Sequence, residues 1–110
     1  MMATSKKGTE RLIKKYPNRR LYDTQTSTYI TLADVKQLVM ESEEFRVVDA
    51  KSGEDLTRSI LLQIILEEET GGVPLFSCEL LSGFIRFYGS ASKNMLGRYL
   101  ENNMRTFIEF

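Results

Sequence analysis

Hydrophobic and polar residues alternate over short distances in the first third of the chain. Residues 12–16 alternate weakly until Pro17-Asn18 interrupts them. Two triplets then flank the polar stretch 24–27, namely Leu21-Tyr22-Asp23 and Thr28-Tyr29-Ile30. Strand-forming triplets around a polar link predict a β-hairpin.

A helical period replaces this alternation after residue 30. Thr31 is predicted to be an N-cap because Asp34 follows three residues later, and Ile30 and Val35 occupy the positions of a hydrophobic staple. The helix is expected to run to about Glu41. The residues expected to be buried are Leu32, Val35, Leu38 and Val39.

A further strand and a second helix follow. Phe45–Val48 is predicted to be a short strand, which ends at the turn signal 51–53, and Thr57–Glu69 is predicted to be a helix. One side of that helix carries Ile60, Leu61, Ile64 and Ile65, and another carries Leu62 and Leu66. So wide an apolar surface indicates that the helix is buried on more than one side. A second subunit is one candidate for the partner that buries the second side.

Gly71-Gly72-Val73-Pro74 is the clearest internal break, and Ser77 can cap a long helical segment beyond it. Gly89-Ser90 is a candidate kink in that segment. Its apolar stripe is predicted to be an oligomer interface or a hydrophobic ligand site, unless the rest of the domain covers it. The candidate oligomer or polymer contacts in this stripe are Leu81, Phe84, Ile85, Tyr88, Met95, Tyr99, Leu100 and Phe107.

These elements predict an α+β fold, with a small domain of short antiparallel strands and two helices followed by a long C-terminal oligomerising helix. The expected divisions are a flexible basic arm at 1–10, a nucleic-acid-binding domain at 11–70 and a helical segment at 75–110. The expected working unit is a homodimer or tetramer.

Charge is unevenly distributed in this chain of zero net charge. Residues 1–20 hold seven basic residues and one acidic residue, so the remaining 90 residues carry a net charge of minus six. Clustered Lys and Arg gain free energy by displacing the counterions condensed on phosphates, which indicates a polyanionic partner. The basic residues concentrate in the stretch IKKYPNRRLYD at 13–23.

That stretch has two interpretations. Either its cations form a solvated surface around a turn, or they contact phosphates while Asn18, Tyr16 or an arginine contacts base edges. The candidate DNA-binding residues are Lys14, Lys15, Tyr16, Asn18, Arg19 and Arg20.

Composition argues against catalysis, metal binding and a membrane span. The chain has no histidine and one cysteine, which removes the usual zinc sites and His-based catalysis, and we expect no cofactor. Asp49, Glu54 and Asp55 surround a turn, but no nucleophile, base or oxyanion hole accompanies them. The longest apolar run has seven residues where a bilayer needs about 20, and no secretory signal opens the sequence, so we expect a cytoplasmic protein.

Three long and idiosyncratic motifs, KKYPNRRLYDT, YITLADV and GEDLTRSILLQII, lie within residues 11–69. This segment resembles the DNA-binding domain of the polyhydroxyalkanoate synthesis repressors, which are also called accumulation regulators. PLFSCELLSGFIRFYG, residues 74–89, is similar to the regulatory segment that follows in that family. Residues 90–110 match its pattern loosely.

The resemblance implies a bacterial repressor that binds promoters of polyester-storage genes and leaves double-stranded DNA when it binds the polyester, such as polyhydroxybutyrate. It carries DNA contact onto the six candidate residues of the basic stretch. An alternative is a granule-associated structural protein that coats the polyester through its amphipathic C-terminal helix. The two differ in sequence specificity, because coating requires only sequence-blind phosphate contact.

Overall fold

The computed structural model describes residues 10–90 and 93–108. The predicted arm at 1–10 therefore lies, except for Glu10, outside the described residues. The described chain contains four strands and four helices. In chain order they are β1 (Arg11–Lys15), β2 (Leu21–Asp23), β3 (Thr28–Ile30), α1 (Leu32–Met40), β4 (Phe45–Asp49), α2 (Thr57–Gly71), α3 (Cys78–Tyr88) and α4 (Lys93–Ile108).

The strands form one sheet in the order β3-β2-β1-β4. The predicted hairpin of β2 and β3 is confirmed, with Leu21 opposite Ile30 and Asp23 opposite Thr28. β1 also pairs antiparallel with β2. The expectation of antiparallel strands throughout is wrong for β1 and β4, which run parallel with Ile13 beside Val47. α1 lies in the connection between the hairpin and β4, so β4 can enter in the same direction as β1. The α+β class is confirmed.

The hydrophobic core lies between one face of the sheet and the first two helices. Ile13 and Val47 are fully buried on the strands, as is Val35 on α1, and Ile60 on α2 is 2% exposed. Each such aliphatic side chain stabilises the fold by about 1.5–3 kcal/mol relative to its exposed state. The core cluster comprises Ile13, Leu21, Val35, Leu38, Val47 and Ile60.

Both ends of α1 are closed by local hydrogen bonds. The predicted capping box is confirmed: the Asp34 N–H donates to Thr31 Oγ1, and the Thr31 N–H donates to the Asp34 carboxylate at 2.9 Å. At the other end Ser42, in left-handed backbone at φ 57°, follows the C-cap. The N–H groups of Ser42 and Glu43 donate to the Val39 and Leu38 carbonyls, a Schellman arrangement that usually has glycine where Ser42 stands.

Two residues that the helical period predicted to be buried are exposed. Val39 on α1 is 44% exposed and Ile65 on α2 is 49% exposed. Both lie at the edge of the apolar stripe of their helix. The core contacts only the central row of each helix, so these edge residues remain exposed. Leu62 and Leu66, on the predicted second side of α2, are also exposed.

The second compact unit begins at Val73, and the first ends at Gly72. It contains α3 and α4, and the predicted cap of α3 is confirmed because the Leu80 N–H donates to Ser77 Oγ at 3.0 Å. The expected single long helix is interrupted: α3 ends at Tyr88 and α4 begins at Lys93. Gly89, at the predicted kink, is the C-cap of α3.

Candidate DNA-binding surface

A tight loop joins β1 to β2 and carries the centre of the basic stretch. The Arg19 N–H donates to the Tyr16 carbonyl and the Tyr16 N–H donates to the Arg20 carbonyl, both at 2.9 Å. The Asn18 side-chain oxygen accepts from the Arg20 N–H at 3.1 Å. Pro17 suits the first corner of such a turn because its φ is fixed near −65°. The strands therefore present Asn18 and Arg19 at the tip of a closed loop.

Arg19 has an unusual backbone conformation for an arginine. Its φ is 69°, in the left-handed region, where a three-residue hairpin loop commonly has glycine. A side chain held there costs of order 1–3 kcal/mol, and such positions cluster at functional sites. The exposed guanidinium of Arg19 is thus retained at a position that favours a residue with no side chain.

Strand alternation separates the two lysines of β1. Lys15 shares the face of buried Ile13, whereas Lys14 lies on the opposite face. Lys15 and Arg19 line a cavity of about 360 Å³ together with Gln63 of α2. The six predicted DNA-binding residues are therefore close along the chain but divided between two sides of the sheet.

The other side of the sheet carries a row of one lysine and two tyrosines. Lys14 lies opposite Tyr22 on β2, and Tyr22 lies opposite Tyr29 on β3. The Tyr29 ring makes edge-type contacts with two neighbours, with ring centroids 5.3 Å from Tyr22 and 6.4 Å from Tyr16. The Arg20 guanidinium carbon lies 5.2 Å from the Tyr29 centroid, within cation–π range.

Two tyrosines of this group are absent from the six residues predicted from the sequence. Tyr22 and Tyr29 were assigned to a hairpin by their β-propensity, which gives no indication of a shared face with Lys14. The signal that could have identified them is the two-residue period of the strands, once the partners of β1 and β2 are known.

Arg11 and Asp23 link β1 to β2 at the end of the strand pair away from the β1–β2 loop. The Asp23 carboxylate is almost wholly buried and lies 3.6 Å from the Arg11 guanidinium. Its two oxygens also accept from the Gln25 N–H at 3.0 Å and the Thr26 hydroxyl at 3.1 Å. A buried carboxylate needs such partners, so this cluster fixes the end of the strand pair.

The acidic turn after β4 has a structural role. The Asp49 carboxylate accepts from the Ser52 N–H at 2.7 Å and the Lys51 N–H at 3.1 Å. The hydrogen bonds from Ser52, with smaller contributions from Lys51 and the charge of Lys15, hold the pKa of Asp49 below its ordinary value. Asp55 is similar, because hydrogen bonds from Thr57 lower its pKa. Both carboxylates are therefore ionised turn and helix-start acceptors at neutral pH.

The helices of the second unit form an apolar groove. A cavity of about 310 Å³ lies between α3 and α4, and Lys93 stands at 6.0 Å from the Tyr88 ring centroid at its edge. Three residues of the predicted stripe, Phe84, Tyr88 and Leu100, line it. Phe87, Lys93, Leu96 and Gly97 also line it, and the sequence stripe did not include them.

The remaining residues of the predicted stripe lie outside this groove. Most are widely exposed, from 63% to 76%, and Leu81 is 44% exposed. This apolar area is open in the described chain and requires a cover, which stays a prediction. The residues concerned are Leu81, Ile85, Met95, Tyr99 and Phe107.

Within residues 10–90 and 93–108, no group of three or more Cys, Asp or Glu side chains is placed to hold a metal ion. Each helix of these same ranges is too short or too polar to span a membrane. Cys78, at the start of α3, is an exposed thiol without a disulfide.

Comparison with known proteins agrees with the motifs. A family model described as "PHB/PHA accumulation regulator DNA-binding domain" matches residues 12–72, and another described as "PHB accumulation regulatory domain" matches residues 76–110. An uncharacterized protein in the phbA 5' region of Thiocystis violacea is 61% identical over 93% of this chain and 74% of its own length.

A second relative, an uncharacterized protein of Allochromatium vinosum, is also 61% identical, over 93% of this chain and 67% of its own length. No solved structure matches the chain. The family matches support a regulatory, DNA-binding role and suggest that the role is not enzymatic. The chain therefore belongs to the polyhydroxyalkanoate accumulation regulator family, as its motifs predicted.

Proposed function

We propose that this protein represses polyhydroxyalkanoate storage genes by binding operator DNA and is released when the polyester binds its second unit. The observation that carries the proposal is the basic loop between β1 and β2, which lies inside the segment matching a DNA-binding domain. Its contacts are assigned to the six residues predicted from the sequence: Lys14, Lys15, Tyr16, Asn18, Arg19 and Arg20.

The loop supplies two kinds of group that DNA recognition needs. Lys and Arg side chains neutralise phosphates and release counterions, while Arg and Asn can make paired hydrogen bonds to guanine and adenine edges. The Asn18 oxygen already accepts from the Arg20 N–H, so the turn itself fixes the orientation of that amide. Arg19, which is exposed at the tip of the loop, is assigned to a base contact.

The groove between α3 and α4 is assigned to the polyester. A polyester chain is apolar with regularly spaced ester carbonyls, and the groove offers aromatic walls with one ammonium at its edge. Burial of apolar area there contributes about 25 cal/mol per Å². The exposed stripe residues are assigned to the interface of a dimer or tetramer. Release requires that the polymer bind the free protein more tightly than the DNA-bound protein.

Coating of polyester granules is a second candidate function. The observation that favours it is the exposed apolar surface of α3 and α4, on which Ile85 is 70% exposed and Phe107 is 76% exposed. A coat protein needs such a surface and no operator. In that case the basic loop would bind any anionic polymer through its charge.

Fluorescence anisotropy separates the two functions. Purified protein is titrated onto duplexes from upstream of polyester-storage genes and onto scrambled duplexes, before and after short 3-hydroxybutyrate oligomers are added. A repressor should prefer its operator by about 10³ or more. Equal affinity for scrambled DNA would favour coating, and an operator complex that oligomers leave intact would remove polymer release from the proposal.

The groove is tested with a double substitution, Phe84→Ala with Leu100→Ala. The double variant should bind the operator as the wild type does, and 3-hydroxybutyrate oligomers should release it less readily. Met104→Ala is the matched control, because Met104 is an exposed apolar residue of α4 that is not among the groove residues. Equal release of both proteins would show that the polyester binds elsewhere.

A further inference from the structure

The two faces of the sheet differ in what covers them. α1 and α2 pack on the face of Ile13, as the core cluster shows, which leaves the opposite face without either helix. That opposite face, here called the tyrosine face, presents Lys14, Tyr16, Arg20, Tyr22, Tyr29 and Arg46, and it also includes Leu12 and the buried Val48. Arg46 belongs to it because β1 and β4 pair Leu12, next to Lys14 on the same side, with Arg46.

The aromatic contacts hold one cation of this face, Arg20, in place. Tyr29 makes edge-type contacts with both other tyrosines, at interplanar angles of 61° and 71°, and it also lies beneath the Arg20 guanidinium. Tyr29 is nevertheless 56% exposed. An arginine that is already ordered loses less side-chain entropy when it binds a phosphate or base, which favours its use in recognition.

Charge decides between the strands and the helices as the DNA-contacting element. α1 and α2 together contain two basic residues, Lys36 and Arg58, and four acidic residues, and Lys36 is paired with Glu68 at 3.0 Å. The helices are therefore net negative and repel a polyanion. The tyrosine face carries three cations, of which Arg46 lies 3.5 Å from the Glu10 carboxylate and also interacts with the charge of Asp55. The tyrosine face is therefore more favourable to a polyanion than the surfaces of α1 and α2 are.

We infer that the tyrosine face seats double-stranded DNA, with the loop end of the β1–β2 pair as a two-stranded ribbon in the major groove and Tyr22, Tyr29 and Arg46 as additional contacts. This inference rests on the proposed function and names the element that performs it. A major groove about 12 Å wide admits such a ribbon. The tip residue Arg19 then contacts bases while Lys14 and Arg20 contact the phosphates beside it. A phosphate replaces Glu10 as the partner of Arg46.

A matched pair of charge removals tests the assignment. Arg46→Gln on the tyrosine face and Arg58→Gln on α2 each remove one exposed cation. Arg46→Gln should weaken operator binding about five- to tenfold and lower the slope of log affinity against log salt by about one, and Arg58→Gln should change neither. Glu10→Gln, which frees Arg46, should tighten binding about two- to threefold. Loss with Arg58→Gln and none with Arg46→Gln would overturn the inference.

The tyrosines are tested with Tyr29→Leu, which keeps an apolar side chain and removes the ring beneath Arg20. Thermal melting checks that this variant folds, and Arg46→Gln gives an independent answer if it does not. Operator affinity should fall about tenfold. If affinity falls only for single-stranded DNA, the face stacks unpaired bases and the inference is wrong. If the wild type shows no operator preference, the proposed function itself fails.

Discussion

Replacement of Arg19 by glycine should stabilise the protein and weaken DNA binding at the same time. At φ 69° a residue with a Cβ costs about 1–2 kcal/mol relative to an ordinary backbone conformation. Glycine removes that strain but has more freedom in the unfolded chain, which offsets about 0.4–1 kcal/mol. The expected net gain in the free energy of unfolding is about 0.5–1 kcal/mol, which raises Tm by about 2–8 °C.

The same substitution removes the cation at the tip of the loop. If Arg19 contacts a base, operator affinity should fall by about 1–3 kcal/mol, and discrimination between operator and scrambled duplex should fall with it. If it contacts a phosphate, all duplexes should weaken alike and the salt slope should drop by about one. Melting followed by circular dichroism and anisotropy on both duplexes measure the two effects on one preparation.

Ser42→Gly is the control, because Ser42 has the same left-handed conformation at the end of α1 and is uncharged. It should raise Tm by a similar amount and leave DNA binding unchanged. A lower Tm for Arg19→Gly would refute the strain reasoning. Unchanged operator affinity would refute Arg19 as a DNA contact.

Three further substitutions test the parts of the first unit that support this surface. Asp23→Asn should lower the free energy of unfolding by about 1–3 kcal/mol in urea denaturation, because buried hydrogen-bond partners lose their charged acceptor; unchanged stability would contradict this role. Thr31→Ala should lower the free energy of unfolding by about 1 kcal/mol in the same measurement, and no decrease would show that the capping box is dispensable. Asp49 has a lowered pKa, so its contribution is complete above about pH 4 and is lost as pH falls further. Asp49→Asn should therefore make the decrease in Tm at acidic pH smaller. If the dependence of Tm on pH is unchanged, other groups cause that decrease.

Local signals in the sequence predicted local structure well. The capping box of α1 needs only Thr31 and Asp34, three residues apart, and the hairpin needs two strand-forming triplets around a polar link. Each of these features depends on neighbours within about ten residues, so no tertiary information is required. The cap of α3 at Ser77 is a further example.

Features that depend on distant partners were predicted less well. Alternation indicates that Ile13 faces a core, but it does not indicate that Val47 lies beside it in a parallel strand. The helical period likewise marked Val39 as buried, although the four-stranded sheet is too narrow to cover it. Register and width are properties of the assembled sheet and leave no local signal.

The candidate site shows the same limit. Composition identifies the loop as a concentration of cations. It does not indicate which face of a strand each side chain occupies, so it groups Lys14 with Lys15 although they lie on opposite faces of the sheet. Tyr22 and Tyr29 were assigned to strands without a role in a surface. Their position beside Lys14 follows from pairing across three strands, which only the structure supplies.

The central position of β1 also has a consequence for synthesis of the chain. β1 lies between β2 and β4, and β4 leaves the ribosome about thirty residues after β1. Until Phe45–Asp49 arrives, β1 presents an open edge that can pair with another nascent chain. A hairpin of three-residue to five-residue strands is marginal alone in water. The proposed DNA-binding face is thus complete only when β4 has joined β1 and the whole sheet has formed.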